Sequence, residues 1–144
     1  MIEARAIWTE QERYIAEATS RHALVMDTAK EKTANSPMEL VLIALCGCTA
    51  SDVVGILRKK REPFTSLEVS AHGTRAEGYP AVYTEIKLIY RVGGKVSPKA
   101  VQDAVRLSKE KYCSVSAMLA KTAKITFEIQ HLDEARNAVP VTKL

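Results

Sequence analysis

The pattern of apolar and polar positions in the first third of the chain predicts short strands. Apolar residues recur at 4–8, 13–18 and 23–27, and charged or serine-containing turns separate the three segments. We therefore expect three strands before the first helix.

The most apolar part of the chain predicts a long central helix. Ser36 provides an N-cap, and Pro37 occupies the first helical position, where its missing N–H is not needed. Between residues 40 and 57 the one charged residue is Asp52. A helix that is apolar nearly all round is buried on most sides, so this one should run through the middle of the structure. The basic run at 58–61 would meet the negative end of its dipole.

Alternating positions return after this helix and predict a long hairpin. Apolar and polar residues alternate at 66–71 and again at 82–92, and 77–80 supplies the turn. Ser97-Pro98 then opens a second helical segment that reaches about residue 121, with a kink or break expected in its polar run at 108–111. A last strand is expected at 125–129. This order of elements predicts an α+β fold, because no regular βαβ alternation is present.

The length and composition predict one domain and a dimer. A chain of 144 residues, 47% apolar and without linkers, fits a single domain over residues 1–144. The apolar surface of the central helix is too wide for one small sheet to cover. A second copy of the chain could cover it, so we expect a two-fold homodimer.

The charge and the cysteine count narrow the class of protein further. The net charge of +4 permits weak attraction to nucleic acid, but aromatic residues are few (6%) and form no stacking platform among the basic residues. The longest uncharged stretch, 40–51, is too short to cross a bilayer, and no secretory signal is visible. An odd count of three cysteines argues against a disulfide framework. We therefore expect a cytoplasmic protein that binds neither nucleic acid nor membrane.

Two cysteines carry the candidate chemistry. Cys48 lies within the apolar helix, where a buried thiol is more often structural than reactive. Cys113 follows Lys111 near a fresh helix start, and both features lower a thiol pKa. Together they supply what peroxide reduction requires: one thiolate to attack the O–O bond, and a second thiol to condense with the resulting sulfenic acid. The two lie sixty-five positions apart in the sequence, so only the fold can bring them together.

The two cysteine segments resemble those of a known family. Residues 36–40 and 46–54 are similar to the first-cysteine helix of the OsmC/Ohr family (osmotically inducible protein C and the organic hydroperoxide resistance proteins), and 111–116 resembles its second-cysteine segment at matching spacing. The resemblance covers essentially the whole chain and is greatest to the OsmC-like branch. It implies antiparallel sheets around two central helices in an intertwined homodimer with interfacial sites.

The same resemblance implies an activity. Cys48 would be the peroxidatic thiolate and Cys113 the resolving thiol of a peroxidase in the oxidative stress response. The substrates would be alkyl or fatty-acid hydroperoxides, and a dithiol, often protein-bound lipoyl, would regenerate the enzyme. No metal or organic cofactor is implied. A non-catalytic binder of small apolar molecules is the alternative.

The residues expected to activate Cys48 depart from the family pattern. The family glutamate directly follows the proline, whereas Met38 stands there in this chain and Glu39 comes one step later. One step rotates a helical side chain by about 100°, so Glu39 would lie nearly opposite Cys48. Arg21 is the best candidate for the helper cation, acting across the dimer, although a solvated surface role fits it equally. Asp52, one turn after Cys48, should raise a thiol pKa unless a hydrogen bond or cation offsets it.

The remaining candidates concern the pocket and the third thiol. An apolar pocket would favour alkyl peroxides over hydrogen peroxide. Its expected wall residues are Leu40, Val41, Ala44, Leu45 and Met118. Cys46 is interpreted as a core residue with a minor chance of acting as another resolving thiol. A metal site at Cys46 and Cys48 is not expected, because residues two apart on a helix point to different faces. The three histidines, at 22, 72 and 131, are expected at the surface.

Overall fold

The computed structural model describes residues 1–132 and confirms the α+β class. Its strands are β1 (Ala4–Glu10), β2 (Arg13–Ala18), β3 (Ala23–Asp27), β4 (Phe64–Arg75), β5 (Tyr83–Gly94) and β6 (Lys124–Leu132). Its helices are α1 (Pro37–Lys59), α2 (Pro98–Leu107) and α3 (Ser114–Leu119), and a π-helical turn, Ser108–Tyr112, joins α2 to α3. The chain divides into two compact units, of which the first is Met1–Val41 and the second starts at Leu42. The single domain expected over residues 1–144 stays a prediction.

The first unit contains an antiparallel sheet of β1, β2 and β3, with β2 in the middle. The strands β2 and β3 have the predicted bounds, and β1 extends two residues beyond the prediction. The register places Ile7, Ile15 and Val25 side by side across the three strands. These three side chains are between 44% and 50% exposed. One chain therefore leaves an apolar row on this sheet in contact with water.

A capping box starts α1, as the serine and proline predicted. The Ser36 backbone N–H donates to Glu39 Oε2 at 2.6 Å, and Glu39 N–H donates to Ser36 Oγ at 3.4 Å. These reciprocal bonds satisfy two backbone donors that a helix start would otherwise leave unpaired. Glu39 therefore has a structural role at the start of the helix.

The burial of α1 differs from the prediction. Residues four apart form its buried stripe, namely Leu45, Thr49, Val53 and Leu57. The rest of the helix is less covered, and Ile43 is 51% exposed. The expectation that α1 is buried on most sides is therefore wrong for a single chain, because the described elements cover only one of its faces.

By length and composition alone, α1 is also long and apolar enough to cross a membrane. The uncharged stretch 40–51 is too short to cross a bilayer, but it is only part of this helix, which has 23 residues. Core helices of soluble proteins meet the same criteria. Leu45, Val53 and Leu57 are fully buried in the second unit, as residues of such a core helix are.

The second unit contains a sheet in the order β4, β5, β6. The predicted hairpin of β4 and β5 is confirmed. The pair of β5 and β6 is parallel, which departs from the expected antiparallel sheets. The reason is the connection: parallel neighbours need a long crossover, and α2, the π turn and α3 provide it. Alternate residues of β5 are buried in the core from Ile86 onward, namely Ile86, Leu88, Tyr90 and Val92, and Tyr83 at the start of the strand is buried as well.

The second helical segment begins and breaks where the sequence predicts. Ser97 Oγ accepts a hydrogen bond from Ala100 N–H at 3.3 Å, and Pro98 occupies the first turn of α2. The helix changes to a π turn at Ser108, inside the polar run in which a break was expected. The chain then becomes extended at Cys113 and starts α3. This interruption determines where the Cys113 thiol lies.

Candidate active site

The fold brings the two predicted cysteines together. Cys48 lies in the middle of α1, and Cys113 is the N-cap of α3, where its sulfur accepts a hydrogen bond from Ser116 N–H at 3.4 Å. The two sulfurs and a carboxylate oxygen of Asp52 all lie within 4.8 Å of one another. Both thiols are free rather than disulfide-bonded. The site therefore has a reduced dithiol with a carboxylate beside it.

A chain of hydroxyl groups holds the Asp52 carboxylate in place. Ser108 Oγ donates to Asp52 Oδ2 at 2.8 Å and lies 2.9 Å from Thr49 Oγ1, which in turn lies 2.6 Å from the Tyr90 hydroxyl. Because Ser108 has one proton and gives it to Asp52, Thr49 must donate to Ser108, and Tyr90 to Thr49. Burial raises the pKa of Tyr90 to about 12, so it keeps the proton that this arrangement requires.

Ser108 links this hydroxyl chain to the second cysteine. Its side chain binds Asp52, and its backbone carbonyl accepts the Cys113 N–H at 2.8 Å in the wider bond of a π turn. Ser108 is fully buried. One residue therefore positions both the carboxylate on α1 and the thiol on the other side of the site. Neither Ser108 nor Thr49 was predicted from the sequence as a site residue. The sequence feature that could have indicated Ser108 is its position in the predicted helix break at 108–111.

The electrostatics of Cys113 differ from the prediction. Burial raises the pKa of its thiol to about 11, against the lowering effect of the Ser116 N–H, while the Cys48 thiol and the Asp52 carboxylate raise the pKa further. The expectation of a lowered value is therefore wrong. Cys113 is 2% exposed, and the Lys111 ammonium lies over the Tyr112 ring, 5.2 Å from its centroid. At neutral pH the Cys113 thiol keeps its proton.

The two expected activating residues have other partners. Both lie in the first unit, whereas Cys48 lies in the second. Glu39 binds Ser36, which lowers the pKa of the Glu39 carboxyl. The Arg21 side chain is 82% exposed, with a guanidinium nitrogen 3.6 Å from Glu17 Oε1. Their action on Cys48 stays a prediction.

The predicted pocket residues differ in burial. Leu45 is fully buried, Met118 is 67% exposed, Ala44 is exposed, and Leu40 and Val41 are half-buried. An alkyl pocket around them stays a prediction. The described chain does have a cavity of about 430 Å³ beside the site. Its lining residues are Ser51, Asp52, Gly55, Ile56, Lys59, Lys60, Leu107 and Tyr112.

The third thiol and the histidines are not members of this cluster. Cys46 is half-buried on α1, and burial raises its pKa. His22, His72 and His131 are exposed, as predicted. The three ligand atoms that lie close together belong to Cys48, Asp52 and Cys113, whereas Cys46 and Cys48 are two residues apart on one helix.

This fold and its paired thiols define the class of protein. The family model described as OsmC-like protein matches residues 13–128, and the chain belongs to that family. Protein YhfA of Escherichia coli K12 is 43% identical over 126 residues, which cover 87% of this chain and 94% of that protein.

Two solved structures illustrate the range of the fold. A hypothetical protein from Aquifex aeolicus VF5 is 31% identical, with a TM-score of 0.80, over 92% of this chain and 98% of that one. The organic hydroperoxide resistance protein OhrB of Bacillus subtilis is 11% identical, with a TM-score of 0.68, over 90% of this chain and 98% of that one. At that identity the likeness to OhrB extends to the fold alone.

Proposed function

We propose that this protein is a thiol-dependent peroxidase that reduces organic hydroperoxides, with Cys48 as the attacking thiolate and Cys113 as the resolving thiol. The observation that carries the proposal is the placement of both sulfurs and an Asp52 oxygen within 4.8 Å of one another. A sulfenic acid on either cysteine would have a thiol beside it. This arrangement allows condensation before irreversible over-oxidation.

The cycle has three balanced steps. The Cys48 thiolate attacks the outer oxygen of the hydroperoxide, the O–O bond breaks, and the alkoxide takes a proton to leave as an alcohol. The Cys113 sulfur then attacks the Cys48 sulfenic acid; a disulfide forms, and the hydroxyl leaves with the Cys113 proton as water. A small dithiol finally reduces the disulfide through a mixed disulfide and is itself oxidised.

Burial and charge support this assignment of the two roles. Cys48 is the more accessible thiol, whereas Cys113 is almost fully buried. The raised pKa of Cys113 keeps its thiol protonated at neutral pH, so Cys113 is the weaker candidate for the thiolate that attacks the peroxide. The Asp52 carboxylate contributes to that raised pKa. We therefore propose that Asp52 helps to keep Cys113 protonated, as the resolving thiol, and leaves the attack on the peroxide to Cys48.

The proposed activity has precedents on this fold. Solved structures of organic hydroperoxide resistance proteins share this fold, among them OhrB and a protein from Elizabethkingia anophelis. We extend the proposal to alkyl or fatty-acid hydroperoxides as substrates, to a dithiol that is free or lipoyl-bound as reductant, and to the cytoplasm as the location. A reducing compartment would keep the resting thiols reduced.

We further propose that the functional unit is a homodimer. The apolar row of Ile7, Ile15 and Val25 and the exposed Ile43 of α1 are surfaces that a second copy would cover. We keep Arg21 as the candidate cation for Cys48 and propose that it acts across this dimer.

Replacing Ile15 with Asp is expected to weaken the dimer by at least about 100-fold, because the new carboxylate would be buried without a partner. Multi-angle light scattering at micromolar concentration should give twice the chain mass for wild type and a monomer for Ile15→Asp. Thr84→Asp is the matched control, since Thr84 is a β-branched, exposed residue of the other sheet. A wild-type mass equal to one chain would contradict the prediction.

A second candidate function is a non-catalytic binder of small apolar molecules. The observation that favours it is that both expected activators of Cys48 have other partners in one chain, Glu39 with Ser36 and Arg21 with Glu17. The cavity beside Asp52 has room for a small ligand.

One experiment separates the two functions. The loss of tert-butyl hydroperoxide is followed with dihydrolipoamide as reductant, with and without wild-type protein. Catalytic turnover above the rate of free dihydrolipoamide supports the peroxidase. A wild-type rate equal to that background would exclude the peroxidase under these conditions and favour the binder. The same assay with hydrogen peroxide tests the preference for alkyl substrates. If the preference holds, hydrogen peroxide should be reduced more slowly than tert-butyl hydroperoxide.

A further inference from the structure

We propose that Cys48, Cys113 and Asp52 together form a binding site for Zn²⁺. The three side chains offer two sulfur donors and one oxygen donor from two separate elements of the second unit. Zinc takes thiolate and carboxylate ligands readily, and three protein ligands leave a fourth position open for water. The inference rests on the placement of these ligand atoms and does not require the proposed peroxidase activity.

The spacing of the ligand atoms suits the ion. Zinc lies about 2.3 Å from sulfur and 2.0–2.2 Å from carboxylate oxygen, so tetrahedral ligand atoms lie about 3.6–3.8 Å apart. The present separations are within 4.8 Å. Closure by about 1 Å, which side-chain rotation can supply, would complete the geometry. Cys48 and Asp52 are four residues apart on α1, so both lie on one helix face.

Groups that would orient the ligands are already in place. Ser108 Oγ donates to Asp52 Oδ2 at 2.8 Å, which leaves the other carboxylate oxygen for an ion. Ser116 N–H donates to Cys113 Sγ at 3.4 Å and would stabilise a thiolate there. Such outer hydrogen bonds fix the ligands of protein metal sites and tune their affinity.

Charge and access are compatible with binding. Two thiolates and one carboxylate would leave the zinc complex with a net charge of −1, and Lys59 and Lys60 line the cavity that reaches Asp52. Zinc displaces the protons of the two thiols, which pass to solvent as the Zn–S bonds form. Bound zinc would also occupy both sulfurs. If the proposed peroxidase activity holds, zinc would therefore inhibit it until a competing chelator removed the metal.

The first test measures zinc affinity without peroxide. Protein reduced with a phosphine, then freed of metal, is titrated with Zn²⁺ in competition with a chromophoric chelator. We expect one zinc ion to bind per chain. Cys48→Ser and Cys113→Ser should each lower the zinc affinity by at least about 100-fold, because loss of a hydrogen-bond partner of a ligand already lowers it 10–100-fold and these variants lose a ligand itself. Ser108→Ala, which removes such an outer partner, should weaken binding by about tenfold.

Cys46→Ser is the matched control, because it removes a thiol from the same helix but not from the cluster. Its affinity should equal that of wild type. Binding that survives loss of both Cys48 and Cys113, or that needs Cys46 equally, would overturn the proposal.

A second test needs no substitution and so does not depend on the folding of variants. Wild-type protein is alkylated with iodoacetamide with and without Zn²⁺, and the labelled cysteines are counted by mass spectrometry. Zinc should slow labelling of Cys48 and Cys113 and leave the rate at Cys46 unchanged. Equal protection of all three thiols, or protection of none, would exclude the site. Zinc protection without peroxide turnover would keep this site and remove the peroxidase, so the two proposals fail separately.

Discussion

Cys48→Ser is expected to abolish peroxide reduction, lowering the rate by at least about three orders of magnitude. A serine hydroxyl stays protonated at neutral pH and cannot replace the thiolate that attacks the O–O bond. The substitution changes one atom in a half-buried position of α1, so the fold should persist. The measurement is the loss of tert-butyl hydroperoxide with dihydrolipoamide as reductant.

The control for this loss is Cys46→Ser. Cys46 lies two residues earlier on the same helix, is half-buried, and does not belong to the thiol cluster. It should retain the wild-type rate. If Cys48→Ser also retained that rate, the role of Cys48 as the attacking thiolate would be wrong, and loss of activity in Cys46→Ser instead would make Cys46 the nucleophile.

Cys113→Ser is expected to separate the first oxidation from turnover. Cys48 would still react with one equivalent of hydroperoxide, but no neighbouring thiol could condense with its sulfenic acid. Turnover with dihydrolipoamide should fall by at least about 100-fold, because direct attack on the sulfenic acid by an external dithiol lacks the advantage of a positioned neighbour. Excess peroxide should then carry Cys48 on to the sulfinic acid.

Mass spectrometry after a single equivalent of peroxide checks this result. The wild type should show a Cys48–Cys113 disulfide, and Cys113→Ser should show a sulfenic acid that dimedone traps at Cys48. A disulfide between Cys48 and Cys46 in the variant would instead give Cys46 the resolving role. Turnover by Cys113→Ser at the wild-type rate would show that Cys113 is not needed.

The raised pKa of Cys113 adds a pH dependence to the resolving step. At neutral pH its thiol is protonated, because burial raises the pKa to about 11. The fraction of thiolate grows about tenfold with each pH unit below that value, and the thiolate is the better nucleophile. Disulfide formation after one equivalent of peroxide should therefore accelerate from pH 6.5 to 8.5. A rate that falls over this range would contradict the assigned role.

Much of the fold could be predicted because local signals determine it. Short segments between charged or serine-containing turns predicted β2 and β3 with their observed bounds. Ser36 and Ser97 are caps whose side chains bond the first turn of each helix. The break at the polar run of 108–111 was also visible in the sequence. These features depend on neighbours within a few residues.

The features that the sequence did not predict depend on contacts between distant residues. The lowered pKa expected for Cys113 followed from Lys111 and a helix start, but burial raises its pKa instead. The hydroxyl chain joins Thr49 of α1 to Tyr90 of β5, and no pattern along the chain indicates that pair. The parallel pairing of β5 and β6 likewise follows from the path of the crossover between them.

The π turn has a mechanical consequence for the two oxidation states. Forming a disulfide requires the two sulfurs to approach to about 2.05 Å, and any backbone movement that accompanies the approach falls on the element that yields more easily. Cys48 lies in the interior of a 23-residue helix, whereas Cys113 lies between a π turn and a short helix, in an extended conformation. Irregular turns inside helices absorb such displacements at less cost than regular helix does. We therefore expect the backbone of residues 108–113 to change conformation on oxidation, while the backbone of α1 keeps its helical conformation.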